Sequence, residues 1–285
     1  MGIALGLGAA LCWGFADYFA ARAARRLGTL GVVLGFHLAA TALLAVLVVA
    51  TGALGGVSWA DVPFFALVGA LGWGSYLSFY RALAIGPISI VSPIVSGYAA
   101  VTVVLAVAVL GERLSALAST AVALSLLGVV IASADVGQIL RSRHAGVLGL
   151  ALAVVAMLLI GGFVFGVAYR AGELGWLAPV FLARGFSTLF VLAQAGFGRS
   201  VRLPVRSPRL LAAIGLIAVL DTAGYVCFNL GARRGETAVV AAASAPYAVI
   251  PILMGVLLLH ERPRPTQWAG VALVLGGLVL LGLAA

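Results

Sequence analysis

Residues 75–98, SYLSFYRALAIGPISIVSPIVSGY, recur in altered form at residues 224–247, GYVCFNLGARRGETAVVAAASAPY. The two stretches align without a gap at a constant offset of 149, and the alignment extends over residues 75–133 and 224–282. Identical residues pair as follows: Tyr76 with Tyr225, Phe79 with Phe228, Gly86 with Gly235, Tyr98 with Tyr247, Glu112-Arg113 with Glu261-Arg262, and Gly128 with Gly277. The chain is therefore built from two homologous halves.

Both halves are almost wholly apolar. Hydrophobic residues make up 64% of the 285 residues, charged residues make up 9%, and the mean hydropathy is +1.22. A soluble domain has about 25% charged residues. We therefore predict an integral membrane protein, and because backbone groups in lipid must bond internally, its spans are expected to be helices.

Ten apolar runs of roughly 17–23 residues follow one another, each about long enough to cross a bilayer as a helix. They fall at 2–21, 30–51, 62–83, 88–110 and 115–133, and then at 146–168, 176–197, 209–231, 237–259 and 265–284. Five spans is an odd number, so the second half must lie upside down relative to the first. The predicted fold is an all-α integral membrane protein of ten transmembrane helices, arranged as two inverted five-helix repeats over residues 1–133 and 146–285 with a joining loop at 134–145. Such repeats favour alternating access to a site near mid-membrane.

The net charge of +9 does not indicate a nucleic-acid partner. Every one of the 17 basic residues is an arginine, and most lie at the ends of apolar runs, where they orient spans and meet lipid headgroups. No basic face or tail is available to follow phosphates. The arginines concentrate in or beside the loops that follow spans 1, 3, 5, 7 and 9, and the positive-inside rule then puts both termini outside.

The two cysteines give no sign of a cofactor. Cys12 and Cys227 both lie inside apolar runs, where we interpret them as small buried hydrophobic residues and not as a disulfide or metal pair. Metal-ligand spacing is absent, so we expect neither a metal nor another cofactor. No positively charged segment precedes the first apolar run, so we do not interpret it as a signal peptide.

The order of short motifs along the chain is similar to that of a known family. The first half carries CWGFAD at 12–17, FYRAL at 79–83, GPISIVSP at 86–93 and GERLS at 111–115, and the second half carries FNLG at 228–231, GETA at 235–238 and HERP at 260–263. Over nearly all its length the chain resembles the EamA family of the drug/metabolite transporter (DMT) superfamily. The resemblance implies ten helices in two inverted repeats, export or facilitated passage of small metabolites, a cavity between spans 1–4 and 6–9, and cytoplasmic termini, opposite to the arginine distribution. It also suggests the inner (plasma) membrane of a prokaryote. Glu236 and Ala242 replace Pro87 and Pro93 in the second half, so the two gates are expected to differ.

Three charged residues lie inside apolar runs: Asp17, Arg184 and Asp221. A charge at mid-membrane costs about 2.5–3.5 kcal/mol on insertion scales, which makes an idle charge rare. One interpretation is an ion pair of Arg184 with Asp221 or Asp17 that fixes helix packing. A role in substrate binding or proton coupling and simple snorkelling are the alternatives. We predict that Asp221 is either paired with Arg184 or protonated, and that its state helps set the side to which a cavity opens.

His37 is a further candidate for proton coupling. Unperturbed imidazole titrates near neutral pH, so His37 could relay protons, and a hydrogen-bonded packing histidine is the other interpretation. Glu112 and Glu261 lie at span ends beside arginines, where capping and loop pairing explain them.

Polar and aromatic side chains share helix faces on spans 3, 4, 8 and 9. Asp221, Tyr225 and Asn229 lie at i, i+4 and i+8 on span 8, and Trp73 and Tyr76 lie together on span 3. Such faces suit aromatic or amphipathic solutes, although plain helix packing explains them equally. The predicted substrate-binding residues are Trp13, Asp17, Trp73, Tyr76, Ser92, Ser96, Asp221, Tyr225, Asn229, Ser244 and Tyr247, and the predicted coupling residues are Asp17, Arg184, Asp221 and His37.

These features favour a secondary transporter, an exporter or facilitator of small metabolites or amphipathic solutes, and not an enzyme. A flippase of lipid or polyprenyl phosphate on the same fold is the alternative. A membrane-embedded enzyme would need clustered His, Asp or Glu residues, whereas carboxylates here are few and scattered, so no catalytic residue is predicted. The expected partners are a small-molecule solute and membrane lipids. The sequence leaves open the substrate, the direction of transport, proton coupling, and whether the protein is a monomer or a homodimer.

Overall fold

The computed structural model describes residues 2–111, 115–134, 144–197, 207–234, 240, 243–260 and 262–284, and this part of the chain contains helices and no strand. The helices of the first half are α1 (Gly2–Leu27), α2 (Thr29–Thr51), α3 (Val62–Ile85), α4 (Ile88–Ser96), α5 (Tyr98–Leu110) and α6 (Ala116–Ala134). Those of the second half are α7 (His144–Tyr169), the short α8 (Ala171–Leu174), α9 (Ala178–Phe197), α10 (Pro208–Arg234), α11 (Val249–Leu259) and α12 (Pro265–Ala284). Short 3₁₀ turns lie at Trp59–Asp61 and Ala245–Ala248.

Seven helical segments of the described chain are long and apolar enough to cross a membrane. Three shorter apolar helices lie at Ala116–Ser125, Val249–Leu259 and Trp268–Ala284, within the fifth, ninth and tenth predicted runs. The prediction of an all-helical membrane protein is confirmed, and the count of ten spans stays a prediction. Most of the predicted joining loop, together with Glu112 and Glu261, lies outside the described residues.

The fourth predicted run consists of two helices, α4 and α5, that meet at Gly97. Pro93 inside α4 has no amide hydrogen to donate, which weakens the helix at this point. The Ser96 hydroxyl donates to the Pro93 carbonyl at 2.6 Å and so satisfies the oxygen at the break. The second half has its 3₁₀ turn, Ala245–Ala248, at the matching position, so both halves interrupt this span at the same depth.

The helices pack in a pattern that occurs twice. Helix α1 packs on α10 as α7 packs on α3, and α2 packs on α10 as α9 packs on α3. Counterpart helices α6 and α12 pack on each other through two glycines: a Cβ at Gly128 would lie 2.5 Å from the Val274 nitrogen, and one at Gly277 would lie 2.7 Å from the Ser125 nitrogen. These contacts run in opposite directions along the two helices, so α6 and α12 are antiparallel and the two halves are inverted.

The contacts also show which residues of the two halves are equivalent before residue 75, where the sequence alignment begins. Gly14 on α1 packs against Tyr247 and Ile250, and Gly161 on α7 packs against Tyr98 and Val101, their counterparts at offset 149. Gly14 and Gly161 are therefore equivalent, at an offset of 147. The same offset relates Trp13 to Ile160, Asp17 to Val164, His37 to Arg184 and Thr41 to Thr188.

Several residues contact their own repeat counterparts. The Thr41 and Thr188 hydroxyls lie 2.7 Å apart, the Tyr76 and Tyr225 hydroxyls lie 3.3 Å apart, and the rings of Tyr98 and Tyr247 lie 6.0 Å apart. Only points close to a twofold axis lie beside their own symmetry mates. These three pairs and the α6–α12 contact therefore mark the axis that relates the two halves.

Candidate functional site

A pocket lies on this axis, near the middle of the helices. Each half contributes five of its lining residues: Trp13, Asp17, Tyr76, Phe79 and Tyr98 from the first, and Ile160, Val164, Asp221, Tyr225 and Tyr247 from the second. The pocket has a volume of about 40 Å³. A larger solute would therefore require the helices to separate.

Eight of the ten lining residues form four repeat pairs: Trp13 with Ile160, Asp17 with Val164, Tyr76 with Tyr225, and Tyr98 with Tyr247. Each of these tyrosines has a tyrosine as its repeat counterpart, whereas neither carboxylate has a carboxylate as its counterpart. Asp221 corresponds to Gly72, where an added Cβ would lie 2.7 Å from Phe163 Cε2, so the first half has no room for a matching carboxylate. The pocket is thus symmetric in its aromatic frame and asymmetric in charge.

A buried triad of Arg184, Asp221 and Tyr76 lies at the pocket. Arg184 Nη2 contacts Asp221 Oδ2 at 2.5 Å and donates to the Tyr76 hydroxyl at 3.1 Å, while that hydroxyl donates to Asp221 Oδ1 at 2.6 Å. Arg184 is 1% exposed and Asp221 is 4% exposed. The ion pair anticipated between Arg184 and Asp221 is present, and its hydrogen bonds join α3 of the first half to α9 and α10 of the second.

Aromatic rings surround the Arg184 guanidinium. Its central carbon lies 4.7 Å from the ring centroid of Tyr76, 5.1 Å from that of Phe36 and 5.2 Å from that of Tyr225. Cation–π attraction is strongest where water is excluded, as it is here. The rings therefore hold the guanidinium in place beside Asp221.

His37 packs beside the same cluster. Its Nδ1 lies 2.9 Å from the Val33 carbonyl, its Nε2 has no hydrogen-bond partner among the described residues, and its ring meets that of Tyr76 edge-on at 5.1 Å. These contacts are those of a packing histidine whose second nitrogen stays available.

Asp17 lines the pocket and is 7% exposed. Its repeat counterpart, Val164, lines the pocket from α7. Asp17 Oδ2 has no hydrogen-bond partner in the described structure. One turn earlier on α1, Trp13 donates from Nε1 to the Asp221 carbonyl at 3.3 Å and packs its ring on Tyr225 at 5.0 Å. The α1 wall is therefore anchored to α10 by Trp13, while Asp17 Oδ2 beside it receives no hydrogen bond from the described residues.

Five predicted substrate-binding residues are not among the residues that line the pocket. Trp73 donates to Gln194 Oε1 at 2.9 Å, Asn229 donates to the Trp176 carbonyl at 2.9 Å, and Ser96 bonds locally as described above. The Ser244 hydroxyl lies 2.8 Å from that of Tyr98, so Ser244 contacts a lining residue without lining the pocket itself. Ser92 is fully buried, and its hydroxyl has no partner in the described part of the chain.

Four lining residues were missed by the sequence reasoning. Tyr98 was detectable, because it aligns with Tyr247, and Phe79 lies three residues after Tyr76 on the same face. Ile160 and Val164 carry no chemical signal, since aliphatic residues fill every span. Their place became visible only from the register of α1 against α7.

Metal ligation finds no support in the described residues, where no group of three or more His, Cys, Asp and Glu residues is close enough to hold an ion. Cys12 and Cys227 are free thiols, each partly buried.

Comparison with known proteins gives one family and one fold. The model of a family described as EamA-like transporters matches residues 1–134 and 147–283. A solved crystal structure, described only as that of a protein, is 20% identical in sequence and superposes with a TM-score of 0.67, covering 99% of this chain and 96% of its own. At that identity the likeness concerns the fold alone. A search of functionally curated proteins gives no significant match.

Proposed function

The chain belongs to the EamA-like transporter family, part of the drug/metabolite transporter superfamily, and from this premise we propose that it moves a small solute by alternating access at the pocket between its halves. The proposal includes ten spans in two inverted repeats, residues 1–133 and 146–285, around that pocket. Transport is secondary, by export or facilitated passage.

The triad of Arg184, Asp221 and Tyr76 is the observation that carries this proposal. It is buried, it lines the pocket through Asp221 and Tyr76, and it ties α3 to α9 and α10 across the two halves. A ligand shifts a conformational equilibrium only through its differential affinity for the two states. A solute or proton that separates Arg184 from Asp221 has such a differential effect, because both residues hydrogen-bond to Tyr76 and their separation would disturb this link between the second half and the first.

The small volume of the pocket supports a gated site over an open channel. Its volume, about 40 Å³, is far below the roughly 300–1,000 Å³ of pockets that hold a drug-sized ligand. A metabolite-sized solute therefore enters only when one half moves relative to the other, which is the motion that inverted repeats make symmetric.

Flux into liposomes tests the proposal. Reconstituted protein is assayed with an imposed pH gradient against a panel of amino acids, nucleosides, purines and amphipathic cations, alongside the variants Asp221→Asn and Arg184→Gln. We expect solute flux above that of empty liposomes, and its loss in both variants. Glu173→Gln, which changes a carboxylate 66% exposed at its side chain and distant from the pocket lining, is the matched control and should retain flux.

Two results would speak against the proposal. Flux at the parent rate in both folded variants would reduce the triad to a structural element. Absence of flux for every solute tested, with binding intact, would remove the transport assignment itself. If Asp221→Asn keeps flux but loses its pH dependence, proton coupling passes through Asp221.

Flipping of a lipid or polyprenyl phosphate fits the pocket less well. A phosphate needs a free cationic group, and the buried arginine at this site, Arg184, already contacts Asp221. The three buried charged residues at the pocket, Asp17, Arg184 and Asp221, sum to one negative charge when both carboxylates are ionised, which repels an anion.

A further inference from the structure

The two walls related by the repeat axis differ in chemistry. The α1 wall presents Trp13 and Asp17, and the equivalent α7 wall presents Ile160 and Val164. One end of a bound solute therefore meets a carboxylate and an indole, and the other end meets aliphatic carbon. A solute that satisfies both walls has one polar or charged end and one apolar end.

The carboxylate on the polar wall lacks a counter-charge. Arg184 contacts Asp221 and not Asp17, and Asp17 Oδ2 is buried without a hydrogen-bond partner in the described chain. Asp221, a like charge, is close enough to Asp17 to disfavour its ionised form. An ionised carboxylate in a dry interior is strongly unfavourable unless a cation pairs with it, and no described residue supplies one to Asp17.

Aromatic rings enclose the same space. Six of the ten lining residues are aromatic, and the hydroxyls of Tyr98, Tyr225 and Tyr247 lie within electrostatic reach of the Asp17 carboxylate. The ring of Trp13 packs against Tyr98 at 6.2 Å and against Tyr225 at 5.0 Å, so these rings form one cluster beside Asp17. Ring faces attract cations and leave neutral hydroxyls or anions without that attraction.

We propose that the pocket selects small monovalent organic cations, with the ammonium group bound between Asp17 and the rings of Trp13, Tyr98 and Tyr247, and the apolar part of the solute against Ile160 and Val164. The bound cation supplies a counter-charge to Asp17, because Arg184 pairs with Asp221. This inference rests on the proposed function, because it names the substrate class of the same pocket. The narrow free space fits an ammonium group as the pocket stands, and a larger apolar part enters as the helices separate.

A matched series of three ligands tests the charge preference on the unaltered protein. Benzylammonium, benzyl alcohol and benzoate share one ring and differ in charge. Binding to the purified full chain is measured by the change in tryptophan fluorescence, to which Trp13 contributes, and by the shift in thermal unfolding that a bound ligand produces. We expect benzylammonium to bind about 10-fold tighter or more than benzyl alcohol, and benzoate to bind weakest.

Asp17→Asn tests the residue assigned to the cation. The amide has the same shape without the charge, so we expect benzylammonium affinity to fall about 10- to 100-fold and benzyl alcohol affinity to change much less. Glu173→Gln, a carboxylate-to-amide change outside the pocket, should alter neither. Equal binding of the ammonium and the alcohol by the parent protein, or an undiminished ammonium preference in Asp17→Asn, would overturn the proposal.

Failure of this inference is distinguishable from failure of the proposed function. A neutral or anionic solute whose flux requires Arg184 and Asp221 but not Asp17 would leave the transporter assignment standing and remove the cation preference. Charge-selective binding that requires Asp17, without flux of any solute, would leave the cation preference standing and remove the transporter assignment.

Discussion

Asp17 and Asp221 are buried carboxylates on the same pocket, and they differ in what surrounds them. Asp221 receives hydrogen bonds from Arg184 and Tyr76, one to each oxygen. Asp17 has a buried oxygen that no described residue contacts by a hydrogen bond. The protein therefore supplies a counter-charge at one acid and omits it at the other. Removing a partner at the first site should harm the fold, and neutralising the acid at the second should chiefly change ligand binding.

Among the variants that test this comparison, Arg184→Gln should have the largest effect on the stability of the fold. It leaves Asp221 as a buried carboxylate without its cation, and breaking a buried pair in this way costs about 3–5 kcal/mol. We expect a marked fall in the midpoint of thermal unfolding of the purified protein. The double variant Arg184→Gln/Asp221→Asn removes both charges and should recover much of the loss. If the single variant is as stable as the parent, the pair does not hold α9 to α10.

Tyr76→Phe and Tyr225→Phe form a comparison between repeat counterparts. Tyr76 donates to Asp221 Oδ1 and accepts from Arg184, so its loss should destabilise by about 1.5–3 kcal/mol, the range for hydrogen bonds to charged groups. The Tyr225 hydroxyl lies 3.3 Å from that of Tyr76, a neutral group, and the loss of this contact should cost about 0.5–1.5 kcal/mol. Thermal unfolding of both variants measures the difference. Equal effects would mean that the triad is no stronger than the tyrosine pair.

Asp17→Asn should have the smallest effect on stability, within about 1 kcal/mol of the parent or on the stabilising side, because an amide replaces a carboxylate whose burial is uncompensated. The same thermal measurement without ligand checks this expectation. A loss as large as that of Arg184→Gln would show that Asp17 has a partner essential to the fold, and the contrast between the two acids would disappear.

Much of the fold follows from the sequence. Composition and run length predict a helical membrane protein, and the aligned residues from 75 onwards reveal the repeat. The faces of α3 and α10 could also be read, because residues four apart lie on one side of a helix whatever it packs against. That rule put Asp221 and Tyr225 on one face of α10 and Tyr76 on a face of α3, and all three line the pocket.

Trp73 and Asn229 show where that reasoning stops. Both lie on polar-aromatic helix faces, yet Trp73 bonds to Gln194 on α9 and Asn229 bonds to the chain at Trp176. A helix face is broad enough to meet several neighbours, so periodicity gives the direction of a side chain but not its partner. The choice is made by how neighbouring helices cross.

The sequence by itself determined the helical membrane character, the two homologous halves and the presence of three charges within apolar runs, because each is a property of composition or of local spacing. Only the tertiary structure decided that Arg184 pairs with Asp221 and leaves Asp17 without a cation, and that Ile160 and Val164 form the wall equivalent to Trp13 and Asp17. The offset between the halves changes from 147 to 149 ahead of α3, and a shift of two residues turns a helix by about 200°, given 3.6 residues per turn. Which residues face each other across the axis therefore depends on packing over the whole molecule.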